Sequence, residues 1–206
     1  MRTRIKICGM TRAEDVRAAA DAGADAVGLV FYPPSPRFLQ LDQARRLRGQ
    51  VPPFVSSVAL FVNPPVEQVR AVLEQVRPSM LQFHGDEPPH FCEQFGVPYL
   101  KACRMGPGVD ALKYLQPFSA AAGWLLDSHV AEYGGVGERF DWSLVPAERS
   151  RPLVLSGGLS HANVREAIRR VRPWAVDVSS GVEASKGIKD AAKIAAFIAE
   201  VRNADV

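Results

Sequence analysis

The fold is indicated first by the stretch Arg4-Ile5-Lys6-Ile7-Cys8-Gly9-Met10-Thr11, which joins a short apolar run to a glycine-containing turn and then to a helical pattern. Seven further apolar runs follow at a spacing of roughly 25 residues, each succeeded by a helical pattern or a loop. Repeated βα units of this kind are typical of a parallel α/β fold. The predicted strands span residues 5–8, 26–31, 55–61, 80–84, 99–103, 124–127, 153–156 and 175–178.

The chain length and the first turn distinguish between two parallel α/β folds. Eight βα units in 206 residues match the lower size limit of a (β/α)8 TIM barrel, so one barrel domain over residues 1–206 is predicted. The alternative is a doubly wound open sheet, which usually has about five or six strands and a GxGxxG nucleotide fingerprint after the first one. The first turn here, Cys8-Gly9-Met10-Thr11, has no such fingerprint, and this favours the barrel.

Local signals also predict three helix starts and one helix face. Thr11 and Glu14 form a capping-box pattern ahead of the first helix. Asn63-Pro64 has the N-cap and N1 residues of the third helix, and Ser160 is placed to cap the helix after the seventh strand. The last helix carries an apolar stripe that is typical of core-facing surface rather than of a cofactor site: Ile194, Phe197, Ile198 and Val201.

The composition argues against several partners and cofactors. A net charge of +3, without a basic stripe and interleaved aromatics, argues against nucleic acid. The three cysteines cannot all pair and show no CxxC spacing, which suits a reducing cytoplasm. The chain shows no signal-peptide core and no run near the ~18 apolar residues of a membrane span. The histidines have no HxH or HExxH spacing, which argues against a bound metal. Taken together, these features predict a cytoplasmic protein, a monomer or homodimer, with no metal, cofactor or membrane partner.

Two strand tips carry groups suited to acid–base chemistry. Cys8 ends the first predicted strand; it is either a catalytic thiol or a small buried hydrophobe. Asp127 ends the sixth, where a helix N-cap or a rim salt bridge is the alternative to a catalytic role. In a closed barrel the two face each other across the mouth, a separation that suits one group removing a proton while the other donates one.

The first strand also suggests electrostatic support for the thiol. Period-2 alternation places Lys6 on the same side of the strand as Cys8, and Asp177 lies on the neighbouring eighth strand once the barrel closes. We expect Lys6 and Asp177 to pair inside the barrel and to lower the pKa of the Cys8 thiol. The alternative is two unrelated charges with separate partners.

Two glycine- and serine-rich segments follow the seventh and eighth strands. The first contains Gly157 and Gly158, and the second contains Ser179, Ser180 and Gly181. Glycines let backbone N–H groups approach a ligand closely, and the loops after strands 7 and 8 of such barrels commonly bind phosphate. Either segment alone is equally typical of a tight βα turn, but their occurrence in adjacent units favours a sugar-phosphate ligand.

Other candidates have weaker signals. Arg37 lies in a proline-stiffened loop and either binds a carboxylate or phosphate group of a ligand or forms a surface salt bridge. His84 ends the fourth strand and either lines the mouth or is a hydrogen-bonded structural histidine. Cys103 is expected to pack in the core. The glycine-rich stretch 133–142 is a lid, a binding loop or a plain solvated loop.

Ten short motifs occur in one order along nearly the whole chain. They are KICGMT (6–11), GLVFY (28–32), SPR (35–37), QFHG (82–85), LDS (126–128), GGVG (134–137), FDW (140–142), SGGL (156–159), DVSSGVE (177–183) and GIKD (187–190). Together they resemble the phosphoribosylanthranilate isomerase family, the (β/α)8 barrels of tryptophan biosynthesis. The resemblance implies an Amadori rearrangement of N-(5′-phosphoribosyl)anthranilate, a ribose phosphate carrying anthranilate, to 1-(2-carboxyphenylamino)-1-deoxyribulose 5-phosphate.

The resemblance also implies a role for each candidate. Asp127 is the general acid that protonates the furanose ring oxygen, and Cys8 is the general base that takes the proton from C2′. Arg37 holds the anthranilate carboxylate, and the segments around Gly158 and Ser180-Gly181 hold the phosphate. No cofactor is needed, because the substrate nitrogen supplies the electron sink.

The chain departs from the family pattern at two positions, and two rival functions remain. Val136 stands where the family usually has threonine, and Pro34 where it often has lysine. The first change removes a hydroxyl from the sixth loop, and neither touches the acid–base pair. The histidine-pathway isomerase, with two matched half-barrels and Asp at the position of Cys8, is one rival. The other is a non-catalytic sugar-phosphate-binding barrel, which the intact Cys8 and Asp127 argue against.

Overall fold

Eight parallel strands close into one barrel in chain order in the computed structural model, which describes residues 2–128 and 140–205. β1 pairs with both β2 and β8, and this closes the ring. The predicted (β/α)8 barrel is therefore confirmed; that residues 1–206 form a single domain stays a prediction. The strands are β1 (Arg4–Ile7), β2 (Ala26–Val30), β3 (Ser56–Phe61), β4 (Met80–Phe83), β5 (Tyr99–Met105), β6 (Gly123–Ser128), β7 (Leu153–Leu155) and β8 (Ala175–Val178).

Helices connect successive strands on the outside of the barrel. They are α1 (Ala13–Ala22), α2 (Leu41–Arg48), α3 (Val66–Gln75), α4 (Pro89–Glu93), α5 (Ala111–Leu115), α6 (Val164–Val171) and α7 (Ala191–Ala204). The described part of the β6–β7 connection contains the 3-10 turn Trp142–Leu144. After β8 come the 3-10 turn Ser180–Val182 and a small antiparallel hairpin of β9 (Glu183–Ser185) and β10 (Ile188–Lys189). None of the described helices is both long and apolar enough to span a bilayer.

The apolar core forms two layers that follow the alternation of the strands. Inward-facing side chains fill the barrel below its mouth: Leu100, Ala102, Leu125, Val154 and Ala175. Outward-facing side chains pack against the helices, and the apolar stripe predicted for the last helix belongs to this layer, as expected. This packed interior holds the strand tips in fixed positions around the mouth.

The three predicted helix starts are wrong by one to three residues. The N-caps are Arg12, Pro65 and Asn163, each later in the chain than predicted. The Thr11 hydroxyl donates instead to the carbonyl of Gly187. In each case tertiary contacts or an extra loop turn displace the local capping signal.

Candidate active site

One pocket opens where the barrel strands end, and the predicted site residues meet there. Eight of them line it: Cys8, Arg37, His84, Asp127, Gly157, Gly158, Ser179 and Ser180. Gly181, also predicted, follows Ser180 in the 3-10 turn but is not part of the pocket wall. The chain therefore gathers, in one cleft, a thiol, a carboxyl group, a guanidinium and two glycine- and serine-rich turns.

Cys8 is held in the pocket wall by its backbone and by a glycine on the neighbouring strand. The Cys8 amide donates to the carbonyl of Val178 at 2.8 Å, which continues the pairing of β1 with β8. A Cβ at Gly28 would lie 2.5 Å from the Cys8 Sγ, so only glycine leaves room for the sulfur there. The side chain is buried but still borders the cavity.

A buried ion pair lies beneath the thiol, as predicted. The Lys6 Nζ donates to the Asp177 Oδ1 at 2.9 Å, and the two residues are register partners in β1 and β8. Burial opposes the charge on Lys6, but attraction to Asp177 and Cys8 outweighs it and raises the pKa of Lys6. Lys6 therefore stays protonated next to the sulfur.

Lys6 lowers the pKa of the Cys8 thiol, as expected, but burial outweighs this influence. Burial is the largest influence and raises the pKa of Cys8; Lys6 lowers it through its charge and a hydrogen bond, and Asp177 raises it. The net pKa lies above the ordinary value. Lys6 thus limits a shift that burial would make larger.

Two substitutions should move the thiol pKa in opposite directions. Lys6→Met removes the stabilising cation, so the pKa of Cys8 should rise; Asp177→Asn removes the opposing carboxylate, so it should fall. Because the thiolate is the reactive form, alkylation by iodoacetamide accelerates as pH rises through the pKa. Peptide mass mapping of the Cys8 peptide across a pH series measures this midpoint separately from the other cysteines.

The other two thiols serve as internal references in the same samples. Burial raises the pKa of Cys92 to about 12 and that of Cys103 to about 11. Their reactivity should therefore stay low near neutral pH in all variants. An unchanged or lowered Cys8 midpoint in Lys6→Met would contradict the support assigned to Lys6.

Asp127 lies at one end of a short chain of hydrogen bonds. The His84 Nε2 lies 3.0 Å from the Asp127 Oδ2, and the Ser128 amide donates to Oδ1 at 2.8 Å. The Gln82 amide nitrogen lies 2.9 Å from the His84 Nδ1. With that amide donating to Nδ1, the ring proton lies on Nε2 and faces Asp127. His84 therefore lines the mouth and is also hydrogen-bonded, so both interpretations of it hold.

Arg37 lies buried at the pocket edge in a bidentate ion pair. Its Nε and Nη2 donate to the two carboxylate oxygens of Glu183 at 2.7 and 2.8 Å. Both side chains are less than a tenth exposed, so this is not the surface salt bridge weighed as the alternative. The fork engages one edge of the guanidinium and leaves Nη1 for a ligand.

The two turns after β7 and β8 fit together through glycines. Gly157 and Gly158 adopt left-handed conformations, with φ of 83° and 64°. A Cβ at Gly157 would lie 2.4 Å from the Ser128 amide nitrogen, and one at Gly181 would lie 1.9 Å from the Leu159 carbonyl oxygen. Gly181 thus lets the second turn pack against the first.

A lysine side chain also lies at the phosphate end. The Lys189 Nζ donates to the backbone carbonyl of Ser179 at 3.0 Å and to its hydroxyl at 3.2 Å. α6 begins only at Val164, several residues after Gly158. The N-terminus of α6 is therefore set back from the first turn.

The glycine-rich stretch predicted as a lid or solvated loop mostly lies outside the described residues, as does Val136. In its described last residues, Trp142 is buried in the core and the Asp141 carboxylate accepts from the Ser143 amide at 2.9 Å. Cys103 is buried in the core, so its expected packing role is confirmed.

Comparison with known proteins decides between the fold-related alternatives. The family model described as N-(5′phosphoribosyl)anthranilate (PRA) isomerase matches residues 5–200. The chain belongs to the PRA isomerase family. This membership supports the tryptophan-pathway resemblance over the histidine-pathway rival.

Relatives within the PRA isomerase family match over the full length. The N-(5′-phosphoribosyl)anthranilate isomerase of Dechloromonas aromatica is 58% identical over 205 residues, which cover 100% of this chain and 99% of that protein. The crystal structure of the PRA isomerase from Thermotoga maritima has a TM-score of 0.88 and 43% identity, and the match covers 98% of this chain and 99% of that one. Another PRA isomerase structure holds reduced 1-(o-carboxyphenylamino)-1-deoxyribulose 5-phosphate; its TM-score is 0.87, with 41% identity and coverage of 98% and 99%.

Four residues in contact with the candidate site were not predicted as functional candidates. They are Gly28 beside the thiol, Gln82 behind His84, Glu183 on Arg37 and Lys189 behind Ser179. All four lie inside motifs already recognised in the sequence. Strand alternation, which places Gln82 on the same side as His84, was the one signal that could have found a member of this set.

Proposed function

We propose that this chain catalyses the Amadori rearrangement of N-(5′-phosphoribosyl)anthranilate to 1-(2-carboxyphenylamino)-1-deoxyribulose 5-phosphate in tryptophan biosynthesis. The observation that carries the proposal is one pocket that joins Cys8 and Asp127 to the turns after β7 and β8, in a member of the PRA isomerase family. The substrate is a phosphorylated ribose carrying anthranilate, and its two anionic ends match Arg37 and the two turns.

The proposed reaction divides into a ring-opening step and a proton-transfer step. Asp127 protonates the furanose ring oxygen while the anthranilate nitrogen donates its electron pair to C1′, which breaks the C1′–O bond and gives a Schiff base. Cys8 then takes the proton from C2′, and the electron pair moves into the C2′–C1′ bond to give an enolamine. The enolamine tautomerises to the ketone. The substrate nitrogen accepts the electrons, so the proposal needs no cofactor.

The described contacts suit these roles. Lys6 lies next to the thiol and favours the thiolate that the base must form. His84, held by Gln82, fixes the orientation of the Asp127 carboxyl group at the pocket mouth. A positioned acid and a positioned base act on different atoms of one ligand without exchanging roles.

Wild-type turnover tests the proposal as a whole. Purified protein should consume N-(5′-phosphoribosyl)anthranilate, and the loss of substrate fluorescence measures the rate. A sample without protein corrects for spontaneous breakdown. Absence of enzyme-dependent turnover would contradict the proposed function.

The phosphate end of the site gives a separate prediction. Gly181→Ala forces a methyl group against the Leu159 carbonyl and separates the two turns, so KM should rise about tenfold to 10²-fold. Inhibition by inorganic phosphate should weaken in parallel, because the same turns are proposed to bind it. Steady-state kinetics with phosphate as the inhibitor measures both quantities.

The matched control is Gly49→Ala at the end of α2. A Cβ there meets only ordinary contacts, the nearest at 3.4 Å, and its φ of −65° suits alanine. KM should stay within about twofold of wild type. Unchanged phosphate inhibition in Gly181→Ala would contradict the placement of the phosphate at these turns.

The compartment and assembly belong to the same proposal. Three unpaired cysteines favour a reducing cytoplasm as the place of the reaction. Whether the chain is a monomer or a homodimer stays a prediction, and sedimentation of the purified protein decides it.

A further inference from the structure

The hairpin after β8 carries two buried charges that the proposed reaction does not use directly. Glu183 begins β9 and Lys189 ends β10, and the two residues are register partners. Both are more than nine-tenths buried. Their charged ends lie between Arg37, which is predicted to bind the substrate carboxylate, and Ser179 in the turn after β8, which is predicted to bind phosphate (the phosphate turn).

Glu183 accepts hydrogen bonds from two cations at once. Arg37 donates to both of its oxygens, and the Lys189 Nζ donates to Oε1 at 2.9 Å. Burial would raise the pKa of Glu183, but these bonds and charges outweigh it and lower the pKa, so the carboxylate stays ionised. A planar, bidentate pair fixes the plane of the guanidinium as well as its position.

Lys189 connects this pair to the phosphate turn. Its ammonium has three N–H donors, and the carboxylate of Glu183, the carbonyl of Ser179 and the hydroxyl of Ser179 are its acceptors. The Ser179 hydroxyl in turn donates to the Cys8 carbonyl at 3.0 Å. One chain of contacts therefore runs from Arg37 to the turn next to the thiol.

The charge balance of the cluster favours an anionic ligand. The cluster joins two basic side chains, Arg37 and Lys189, to one carboxylate, Glu183. Burial lowers the pKa of Lys189, and the charge of Glu183 opposes this; with Lys189 protonated, one positive charge remains. Without Lys189, the Arg37–Glu183 pair would be neutral and would attract a carboxylate weakly. Arg37 is the member of this cluster that lines the pocket wall, so a ligand in the pocket meets the cluster through its guanidinium.

Separate contacts hold the backbone of the hairpin. The Lys189 amide donates to the Asp15 carboxylate at 3.2 Å, and Arg12 donates to the Lys189 carbonyl at 3.1 Å. The Lys193 Nζ donates to the Glu183 carbonyl at 2.7 Å. A side-chain substitution at Glu183 therefore leaves the main supports of the hairpin in place.

We infer that Glu183 is a positioning residue that orients Arg37 toward the carboxylate of the aromatic part of the substrate, while Lys189 supplies the compensating charge and ties this unit to the phosphate turn. The inference rests on the proposed function. It assigns to the hairpin the selection of ligands that carry both a phosphate and a second anionic group.

The test compares two substrates in the isosteric variant Glu183→Gln. One is N-(5′-phosphoribosyl)anthranilate, and the other is the same ribosyl phosphate carrying aniline, which lacks the carboxylate. For the first, KM should rise about tenfold or more while kcat stays within about threefold. For the second, KM should change less than about twofold, and so should inhibition by inorganic phosphate.

A double-mutant cycle separates this role from a merely structural one. In the Arg37→Ala background, Glu183→Gln should change kcat/KM by less than about twofold, because Glu183 acts through Arg37. An additive loss in that background, or an equal loss with the aniline substrate, would overturn the inference. If Glu183→Gln does not fold, Arg37→Lys replaces it, because lysine keeps the charge but cannot form the bidentate pair with Glu183. Its KM for N-(5′-phosphoribosyl)anthranilate should rise, and an unchanged KM would also overturn the inference.

The outcomes distinguish this inference from the proposed function. If the wild type does not turn over N-(5′-phosphoribosyl)anthranilate, the proposed function fails. If the wild type is active and Glu183→Gln keeps the wild-type KM, only the positioning role fails.

Discussion

Cys8→Ala is expected to lower kcat by about 10²-fold or more, because it removes the group that we propose as the base for the C2′ proton. The sulfur borders the substrate pocket, while the phosphate turns and Arg37 are unaffected by the change. KM should therefore stay within a few-fold of wild type. Fluorescence assays at saturating substrate measure kcat, and thermal melting shows that the variant is folded.

The matched controls are Cys92→Ala and Cys103→Ala. Both thiols are buried in the core away from the pocket wall, so these variants should lose some stability and keep kcat within about twofold. A Cys8→Ala enzyme as active as these controls would show that the thiol is not the base.

Asp127→Asn is expected to lower kcat by about 10²-fold or more for a different reason. Asparagine has nearly the same shape and its oxygen can still accept the Ser128 amide, but its NH2 group then faces the His84 Nε2–H in place of an acceptor oxygen. Asparagine has no acidic proton to give to the ring oxygen, so the ring opening that we propose would lose its general acid. The measurement is again kcat at saturating substrate, with the melting temperature as the check on folding.

Asp141→Asn is the control for Asp127→Asn. Asp141 is an exposed carboxylate that accepts the Ser143 amide at the start of a 3-10 turn, and asparagine caps such turns well. Its kcat should match that of the wild type within about twofold. If Asp127→Asn also keeps a near-wild-type kcat, the carboxyl group at the tip of β6 is not the general acid.

The strands and the placement of Cys8 and Asp127 could be predicted because they depend on short-range patterns. Apolar runs at regular spacing determine the strands, and a parallel barrel puts every strand tip at one end. The same reasoning predicted the Lys6–Asp177 pair, since alternation and closure make them neighbours. Alternation is a property of the strand itself and does not depend on the loops.

The rest depends on contacts between residues that are distant in the chain. The Thr11 hydroxyl has the Gly187 carbonyl as its partner instead of capping α1, and Arg37 is paired with Glu183, 146 residues away. No local signal predicts such pairs. The influence of Lys6 on the Cys8 pKa could be predicted because nearby charge can be inferred from strand register, whereas the larger, opposing influence of burial requires the packed structure.

The decisive measurement is a crystal structure of this chain with reduced 1-(o-carboxyphenylamino)-1-deoxyribulose 5-phosphate. We expect the phosphate at the turns of Gly158 and Ser180, the Cys8 Sγ about 3–3.5 Å from C2′, and Asp127 at the oxygen that closed the furanose ring. A complex in which the Cys8 sulfur faces apolar side chains, away from the bound ribulose chain, would contradict it.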